Sequence, residues 1–508
     1  FAVHPALRSI AIVAVVGMVV LLVISLTVQP ALFAAIIGDR TRKGRYPFTL
    51  SSFLISVFAF LYFLCGCVLL MLLFLLFRIV PFAAKAKKRA FHWTIMAFTR
   101  SLVYVMVNVR KEIHGFAAAI AERPAIVIAN HASFIDILAM LMVSPKVVML
   151  TNRWVWRSPF FGAIVRYAGF LCSEDDIPTN AERARAALEQ GLSVVIFPEG
   201  TRSRDGRIGR FHKGAFQLAE DLQVPVVPVV LHGFGHAMAK GDWLLKNAQI
   251  SMHTLPAIAW DDPRFGTGRV ERAKRIGAWF RAEHEGIRAA RETPHYFRQQ
   301  MLANYLYKGP VLEWYVRSKL RMDEALHTFI HSRIPRDARV EDLGCGHGMV
   351  SYLLRFCSPG RTVHGVDHDT EKVAVAQHCF MRDAQVTFTQ ADLGHYTPRE
   401  ADAMVLKDVL HYLPPSEQEG LLERCVQQLA SGGSIFVRDG FRSDNARHER
   451  TQRTERISTG IGFNRARGAL HFPEKAWIET FARRHGLRVE WALASARTSN
   501  ELVVLTKP

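Results

Sequence analysis

Polarity along the chain divides it sharply. Ser9 to Val28 runs for 20 residues without a charge, which is the length a helix needs to cross a hydrocarbon core about 30 Å thick. Ser52 to Phe77 is a second charge-free run, of 26 residues. Arg40, Arg42, Lys43 and Arg45 precede it, and Lys85, Lys87, Lys88 and Arg89 follow it. Cytoplasmic loops carry the excess of Lys and Arg, so equal positive flanks predict a run that dips into the bilayer and returns, with Gly66 as its bend. A plain second crossing is the alternative. Beyond residue 90 the pattern turns to short β-rich runs, Ala125 to Ala129, Ser193 to Phe197 and Val224 to Leu231, alternating with helical stretches such as Ala181 to Gln190. Residues 268–322 read as a charged helical connector without a catalytic signature. From Ala338 the alternation resumes through ARVEDLG, RTVHGVD, AQVTFTQAD, ADAMVLKD and GGSIFVRD, which predicts a second unit with a mostly parallel sheet. The expected fold class is therefore α/β: N-terminal membrane helices, then two α/β domains. The expected segments are 1–38, a membrane-embedded anchor at 39–90, a first domain at 91–267, the connector at 268–322 and a second domain at 323–508.

Charge refines this picture. The 508 residues carry 64 Lys plus Arg against 45 Asp plus Glu, and residues 1–300 hold 36 of the bases and 20 of the acids. Bases beside apolar runs point to anionic lipid headgroups rather than to nucleic acid, and no zinc-finger spacing or aromatic RNA-binding signature is present. The seven cysteines show no paired spacing, which excludes a disulfide scaffold and a cysteine zinc site. Residue 1 is Phe, and the chain reads as the tail of something longer.

The strand-like PAIVIA runs into Asn130, His131, Ala132, Ser133, Phe134, Ile135 and Asp136. A carboxylate five positions beyond a strand-end histidine can accept its Nδ1 hydrogen, fix the tautomer and leave Nε2 to take a hydroxyl proton. Phe197, Pro198, Glu199, Gly200, Thr201, Arg202 and Ser203 follow the strand SVVIF, a turn whose glycine, hydroxyl and guanidinium suit a phosphate. Lys213 and Gly214 in FHKGAF add a cation. NHASFID, FPEGTRS and VPVVPVV, with Pro225 and Pro228, together resemble blocks of the 1-acylglycerol-3-phosphate type of glycerolipid acyltransferase over residues 85–265. The resemblance implies attack by an acceptor hydroxyl on acyl-CoA or acyl carrier protein, with His131 as base and Asp136 as its orienting partner, and without a metal. It also implies acceptor contacts at Asn130, Ser133, Gly200, Thr201, Arg202 and Lys213, and an acceptor-site or structural role for Glu199. One block departs from the pattern. Gly169, Phe170, Leu171, Cys172, Ser173, Glu174 and Asp175 end in acids where the family has an arginine, and acids there would repel a phosphorylated acceptor.

Farther on, Glu341, Asp342, Leu343, Gly344, Cys345, Gly346, His347 and Gly348 lie between a strand and a helix. Alternate glycines let the backbone approach a ligand at such a turn. The nicotinamide fingerprint would want a third glycine three positions after Gly346, and Met349 stands there. Asp367 ends the next strand, placed for ribose hydroxyls. Asp392 follows another and is placed for an adenine amine. This tandem resembles class I S-adenosylmethionine-dependent methyltransferases over residues 300–508. An oxygen acceptor would need a base, for which His411 after LKDVL is the nearest candidate. The segment at residues 4–33 resembles the last transmembrane helix of resistance, nodulation and division exporters, in their large lipid-exporting branch.

These readings imply a bifunctional enzyme at the cytoplasmic side of a bacterial inner membrane, with membrane lipids as partners and continuity with an exporter upstream. An exporter-associated lipid-binding scaffold with degenerate domains is the rival.

Overall fold

Both apolar runs are helices in the computed structural model, which describes residues 4–113, 123–443, 446–460, 469–496 and 498–508. The first helix, α1 (Pro5–Val23), continues through a π-turn at Ile24–Val28, a short α segment at Gln29–Phe33 and a second π-turn at Ala34–Gly38, ending at Arg42. Pro30 lacks an N–H and its ring crowds the carbonyl four residues back, so the wider turn ahead of it relieves the clash. The second, α2 (Leu50–Ile79), is one continuous helix of 30 residues. Its start is fixed by a reciprocal cap in which the Thr49 hydroxyl accepts from the Ser52 N–H at 3.2 Å.

Continuity through Gly66 overturns the expected bend. A side chain there would meet the Phe98 ring of α3 (Ala84–Val105) at 1.8 Å. The glycine exists so that two helices can touch, not so that one can turn.

The chain divides into two units, Thr49–Ala290 and Phe1–Phe48 together with Arg291–Pro508. In the Thr49–Ala290 unit, seven strands are ordered β1-β7-β6-β2-β5-β3-β4. They are β1 (Val109–Ile113), β2 (Ile126–Ala129), β3 (Val147–Thr151), β4 (Leu171–Cys172), β5 (Ser193–Ile196), β6 (Val226–His232) and β7 (Ala248–Thr254). Every pair is parallel except β6 with β7. The central strands β2, β5 and β6 are buried along their whole length. Continuous Val and Ile runs without a polar face are what a parallel sheet covered on both sides requires. Because β2 and β5 are parallel neighbours, the loops leaving their carboxyl ends emerge side by side. Those loops carry NHASFID and FPEGTRS. Helix α4 (Ile135–Met142) begins inside the first of them. Helix α5 (Ile177–Glu189) starts four residues before the expected Ala181, because Pro178 occupies its first turn, where a missing N–H costs nothing.

The other unit contains a second seven-stranded sheet, ordered β10-β9-β8-β11-β12-β14-β13. Its strands are β8 (Arg339–Leu343), β9 (Thr362–Asp367), β10 (Val386–Gln390), β11 (Ala401–Lys407), β12 (Leu429–Gly440), β13 (Arg488–Ala492) and β14 (Asn500–Thr506). The first five are parallel, and β14 runs antiparallel to both β12 and β13. The chain builds outward from β8 through β9 to β10, then returns to lay β11 on its other side. That reversal opens a crevice at the carboxyl ends of β8 and β11, where open α/β sheets bind ligands. Residues 41–48 belong to this unit. Arg382 donates to the carbonyl of Arg42 at 2.6 Å, the Tyr307 hydroxyl donates to the carbonyl of Phe48 at 2.6 Å, and Tyr46 meets Phe380 edge to face at 5.6 Å.

Candidate functional site

In the Thr49–Ala290 unit the strand end does what its sequence requires. His131 Nδ1 lies 2.9 Å from Asp136 Oδ2. The same oxygen accepts the N–H groups of Ala132 and Ser133, each at 2.7 Å, so the carboxylate is anchored in the first turn of α4, where the helix dipole favours an anion. The Phe197 ring stacks on the imidazole at 4.1 Å and 15°. Nδ1 is thereby committed, and Nε2 is the nitrogen left for chemistry.

Glu199 braces the loop. Its Oε1 accepts from the His131 N–H at 2.8 Å and its Oε2 from the Gly209 N–H at 2.7 Å. Burial pushes its carboxyl up from the ordinary value, while the two amides act against that shift. Ser203 N–H donates to the His131 carbonyl at 2.7 Å, locking the two loops together.

Two expected substrate contacts are structural instead. Asn130 is buried, and its amide pairs with the Leu231 backbone in both directions, at 2.9 and 2.8 Å, extending the β2–β6 pairing by one side chain. Ser133 is fully buried, and its hydroxyl accepts from the Ile135 N–H. Thr201 and Arg202 do come together, through a residue the sequence did not single out: Lys240 Nζ donates to Thr201 Oγ1 at 2.9 Å and to the Arg202 carbonyl at 2.8 Å. Gly200 makes the turn in the left-handed region, and Lys213 lies exposed at the start of α6 (Gly214–Leu222). The acidic block also proves different from expectation. Glu174 pairs with Arg153 at 2.6 Å, and Asp175 pairs with Arg183. Carboxylates already neutralised by arginines do not repel a phosphate as isolated ones would.

Beside this loop lies a cavity of about 410 Å³ between α2, α3 and α4, lined by Phe63, Phe98, Phe134 and Leu138, with Arg202 and Asp242 among its few polar groups. Phe134 belongs to NHASFID, so the histidine loop itself forms part of the apolar wall.

The crevice of the second sheet contains a larger cavity, about 500 Å³, lined by Asp342, Gly344, Gly346, Asp367 and Asp392 among others. Its floor is the glycine turn after β8. Gly344 and Gly348 both take left-handed backbone, and a Cβ on Gly344 would sit 2.2 Å from Val409 Cγ2. Asp367 accepts from the Gly346 N–H at 2.8 Å and the Asp369 N–H at 2.9 Å, one on each oxygen. Each oxygen keeps a lone pair, so both remain able to receive a diol. Asp342 accepts from the backbone and hydroxyl of Ser351, and burial raises its carboxyl to about 6.

Residues 80–232 match the acyltransferase family, and residues 340–433 match a methyltransferase domain family. The chain carries an acyltransferase domain and a methyltransferase domain. Over 125 residues, 24% of this chain and 36% of the relative, it is 34% identical to a chloroplast 1-acyl-sn-glycerol-3-phosphate acyltransferase of Brassica napus. The chain thus spans about a third of that relative's length. It resembles the 1-acyl-sn-glycerophosphate acyltransferase of Thermotoga maritima at 21% identity and TM-score 0.42, covering 47% of this chain and 97% of that one. It resembles human N-acetylserotonin methyltransferase at 18% identity and TM-score 0.31, covering 46% and 69%.

In the methyltransferase domain the expected base fails on geometry. His411 is buried, its Nδ1 lies 2.6 Å from Asp439, and its Nε2 lies 3.7 Å from Glu455. Burial alone would lower its pKa, but Asp439 and Glu455 outweigh that and raise it to about 10. An imidazolium has no lone pair to offer a proton, and among the cavity-lining residues stand Tyr412 and Glu455 rather than His411. The Tyr412 hydroxyl donates to Glu455 at 2.6 Å.

Sequence reading also passed over a buried cluster of charge at the cavity wall. Asp323 meets Lys407 at 2.6 Å and Lys319 at 3.7 Å, and Asp408 meets Lys319 at 3.6 Å and Arg438. The stretch expected to be a plain connector holds α7 (Arg269–Arg291) and α8 (Pro310–Met322), and Lys319 lies on α8. The signal that could have found it is the three- and four-residue spacing of Val311, Trp314, Tyr315, Ser318, Lys319 and Met322 along that helix.

Proposed function

We propose that the acyltransferase domain moves a fatty acyl group from acyl-CoA or acyl carrier protein to a hydroxyl of a lysophospholipid or similar amphiphile. The observation that carries this reading is the His131–Asp136 pair joined through Phe134 to an apolar cavity suited to a hydrocarbon chain. His131 Nε2 takes the acceptor proton as the oxygen attacks the thioester carbonyl, and the imidazolium returns it to the departing thiolate. Thr201, Arg202 and Lys240 supply the positive rim a phosphate needs. With Glu174 and Asp175 already paired, a phosphorylated acceptor is admissible. Full chain in vesicles, given acyl-CoA and either lysophosphatidate or glycerol 3-phosphate, should acylate the lysolipid. Transfer to neither acceptor would defeat the reading.

The methyltransferase domain acts on a lipid or aryl hydroxyl. The glycine cradle, the Asp367 carboxylate and Asp392 fit S-adenosylmethionine, which when bound supplies a methyl group on a sulfonium. Asp367 holds the turn and receives the ribose, Asp392 receives the adenine amine, and Glu455 with Tyr412 faces the acceptor side. His411 positions Glu455 rather than accepting a proton. Calorimetry on the full chain should show cofactor binding that weakens by at least about 100-fold in Asp367→Ala, since hydrogen bonds to a charged group are worth about 1.5–3 kcal/mol each. Equal affinity in the variant would remove Asp367 from the site.

Both activities take place at a membrane, on the cytoplasmic side of a bacterial inner membrane, with α1 continuing an exporter-like region. Arg8–Arg42 and Leu50–Ile79 are long and apolar enough to cross. Residues 41–48 are bonded to the methyltransferase domain. Beyond Ile79, no helix among the described residues is long and apolar enough to span. Both ends of α2 therefore share one side of the bilayer, and a helix of 30 residues, about 45 Å long, lies within one leaflet. Cysteines introduced as Lys43→Cys and Lys85→Cys should react with an impermeant reagent from the same side. Opposite sides would make α2 a crossing.

A further inference from the structure

We propose that the methyl acceptor is a long-chain amphiphile that reaches the methyltransferase cavity from the bilayer along α8; this rests on the methyltransferase and membrane readings above. Helix α8 turns one stripe toward the cavity: Val311, Trp314, Tyr315, Ser318, Lys319 and Met322 all line it. The spacing of three and four residues puts them on a single helical face. The inner members, Tyr315 and Lys319, are partly buried, and Lys319 joins the charged cluster. The outer members are large, apolar and open to the surroundings, with Val311 61%, Trp314 68% and Met322 68% exposed. A rim of that composition around a cofactor cavity costs solubility unless something apolar covers it.

What covers it follows from the residues just before α8. Tyr307 meets Phe33, within the first apolar helix, edge to face at 6.4 Å, and its hydroxyl holds the Phe48 carbonyl. Arg382 clasps the carbonyls of Thr41 and Arg42, at the same helix's end. The segment that leads into α8 is thus fastened to the point where the first apolar helix ends, and Pro310 starts α8 three residues after Tyr307. An exposed tryptophan flanked by the exposed cations Arg317 and Arg321 is the composition that settles at a lipid headgroup boundary. The cavity, at about 500 Å³, has the size of a site for one drug-sized ligand. Once the cofactor lies on the glycine turn, a hydroxyl-bearing head can enter while its hydrocarbon tail stays along Val311, Trp314 and Met322, in the lipid.

The test uses the full chain in vesicles of phosphatidylethanolamine and phosphatidylglycerol. Cys65, the one cysteine exposed among the seven, is replaced by serine. Trp314→Cys, or Val311→Cys should the first fold poorly, is labelled with an environment-sensitive fluorophore. Asp337→Cys, exposed ahead of β8 at the opposite end of the strand, is the control. Brominated acyl chains should quench the probe on α8 at least twofold and leave the control unchanged. Equal behaviour at the two sites overturns the proposal. S-adenosylmethionine calorimetry on the unlabelled chain separates the failures: binding without quenching sinks the inference alone, whereas no binding sinks the methyltransferase reading and the inference with it. With S-adenosyl-[methyl-³H]methionine and extracts of the source cells, label should enter the organic phase. Label confined to water-soluble products would overturn the claim.

Discussion

His131→Ala should lower acyl transfer by about 10²- to 10⁴-fold, the usual contribution of a positioned acid–base group, with little change in stability. The imidazole is only partly buried, and removing it strips a ring from Phe197 without opening the core. Asp136→Asn should behave differently. Asp136 Oδ2 receives the His131 ring and two backbone amides while its other oxygen is buried without a hydrogen-bond partner. An asparagine removes the charge and must either turn its NH₂ group against the three donors or bury it at the Oδ1 position without an acceptor, so the variant loses activity and also stability, by about 1–3 kcal/mol. The pair of variants separates chemistry from architecture: thioester-cleavage rates should fall in both, but the urea midpoint should fall in Asp136→Asn alone. A His131→Ala chain that still transfers acyl groups at the native rate would remove the histidine from the mechanism.

Asp323→Ala should be the most damaging single change in the methyltransferase domain, costing about 3–5 kcal/mol, the range for breaking a buried ion pair. Burial alone would raise the Asp323 carboxyl, but Lys407, Lys319 and Arg438 overwhelm that and hold it far below the usual carboxylate range. Without it, three cations face Asp408 alone at the cavity wall. Because the folded-state value is depressed, the stabilisation is present above the unfolded carboxylate range and is lost only as pH falls below it. Wild type and variant should therefore differ most near neutrality and converge in strong acid. Chemical denaturation at pH 7, and at pH 3 where the gap should have begun to narrow, measures the trend. As a surface comparison, Glu490→Ala breaks a half-exposed pair with Arg333 and should cost about 0–1 kcal/mol. Equal losses in the two variants would show the buried cluster to be unimportant.

The legible parts of this chain are those where one short segment fixes its own geometry. NHASFID places a carboxylate within reach of a histidine through a single helical turn, and the glycine triplet permits the left-handed backbone found at all three of its positions. The Val- and Ile-rich runs had to be strands of a sheet covered on both faces. The errors share a cause too. Gly66 suggests a bend because a lone sequence shows no neighbour, and Phe98, which explains it, lies 32 residues away. Asn130 and Ser133 sit inside NHASFID, yet their partners are a strand about a hundred residues on and the next helical turn. His411 has the residue type of a base, but two acids from distant elements, Asp439 and Glu455, keep it charged. Tertiary partners decide protonation, and composition cannot supply them.

The clasp between Arg382 and the Arg42 carbonyl spans 340 residues. At a synthesis rate of about 5–20 residues per second, the segment at 41–48 waits about 20–70 seconds after leaving the ribosome before its partner is made. During that interval the whole acyltransferase unit emerges, complete in itself and able to fold first. The earliest-made part of the methyltransferase unit therefore cannot find its place until most of the chain has been made, and nascent chains halted before residue 382 should leave Tyr46 open to protease.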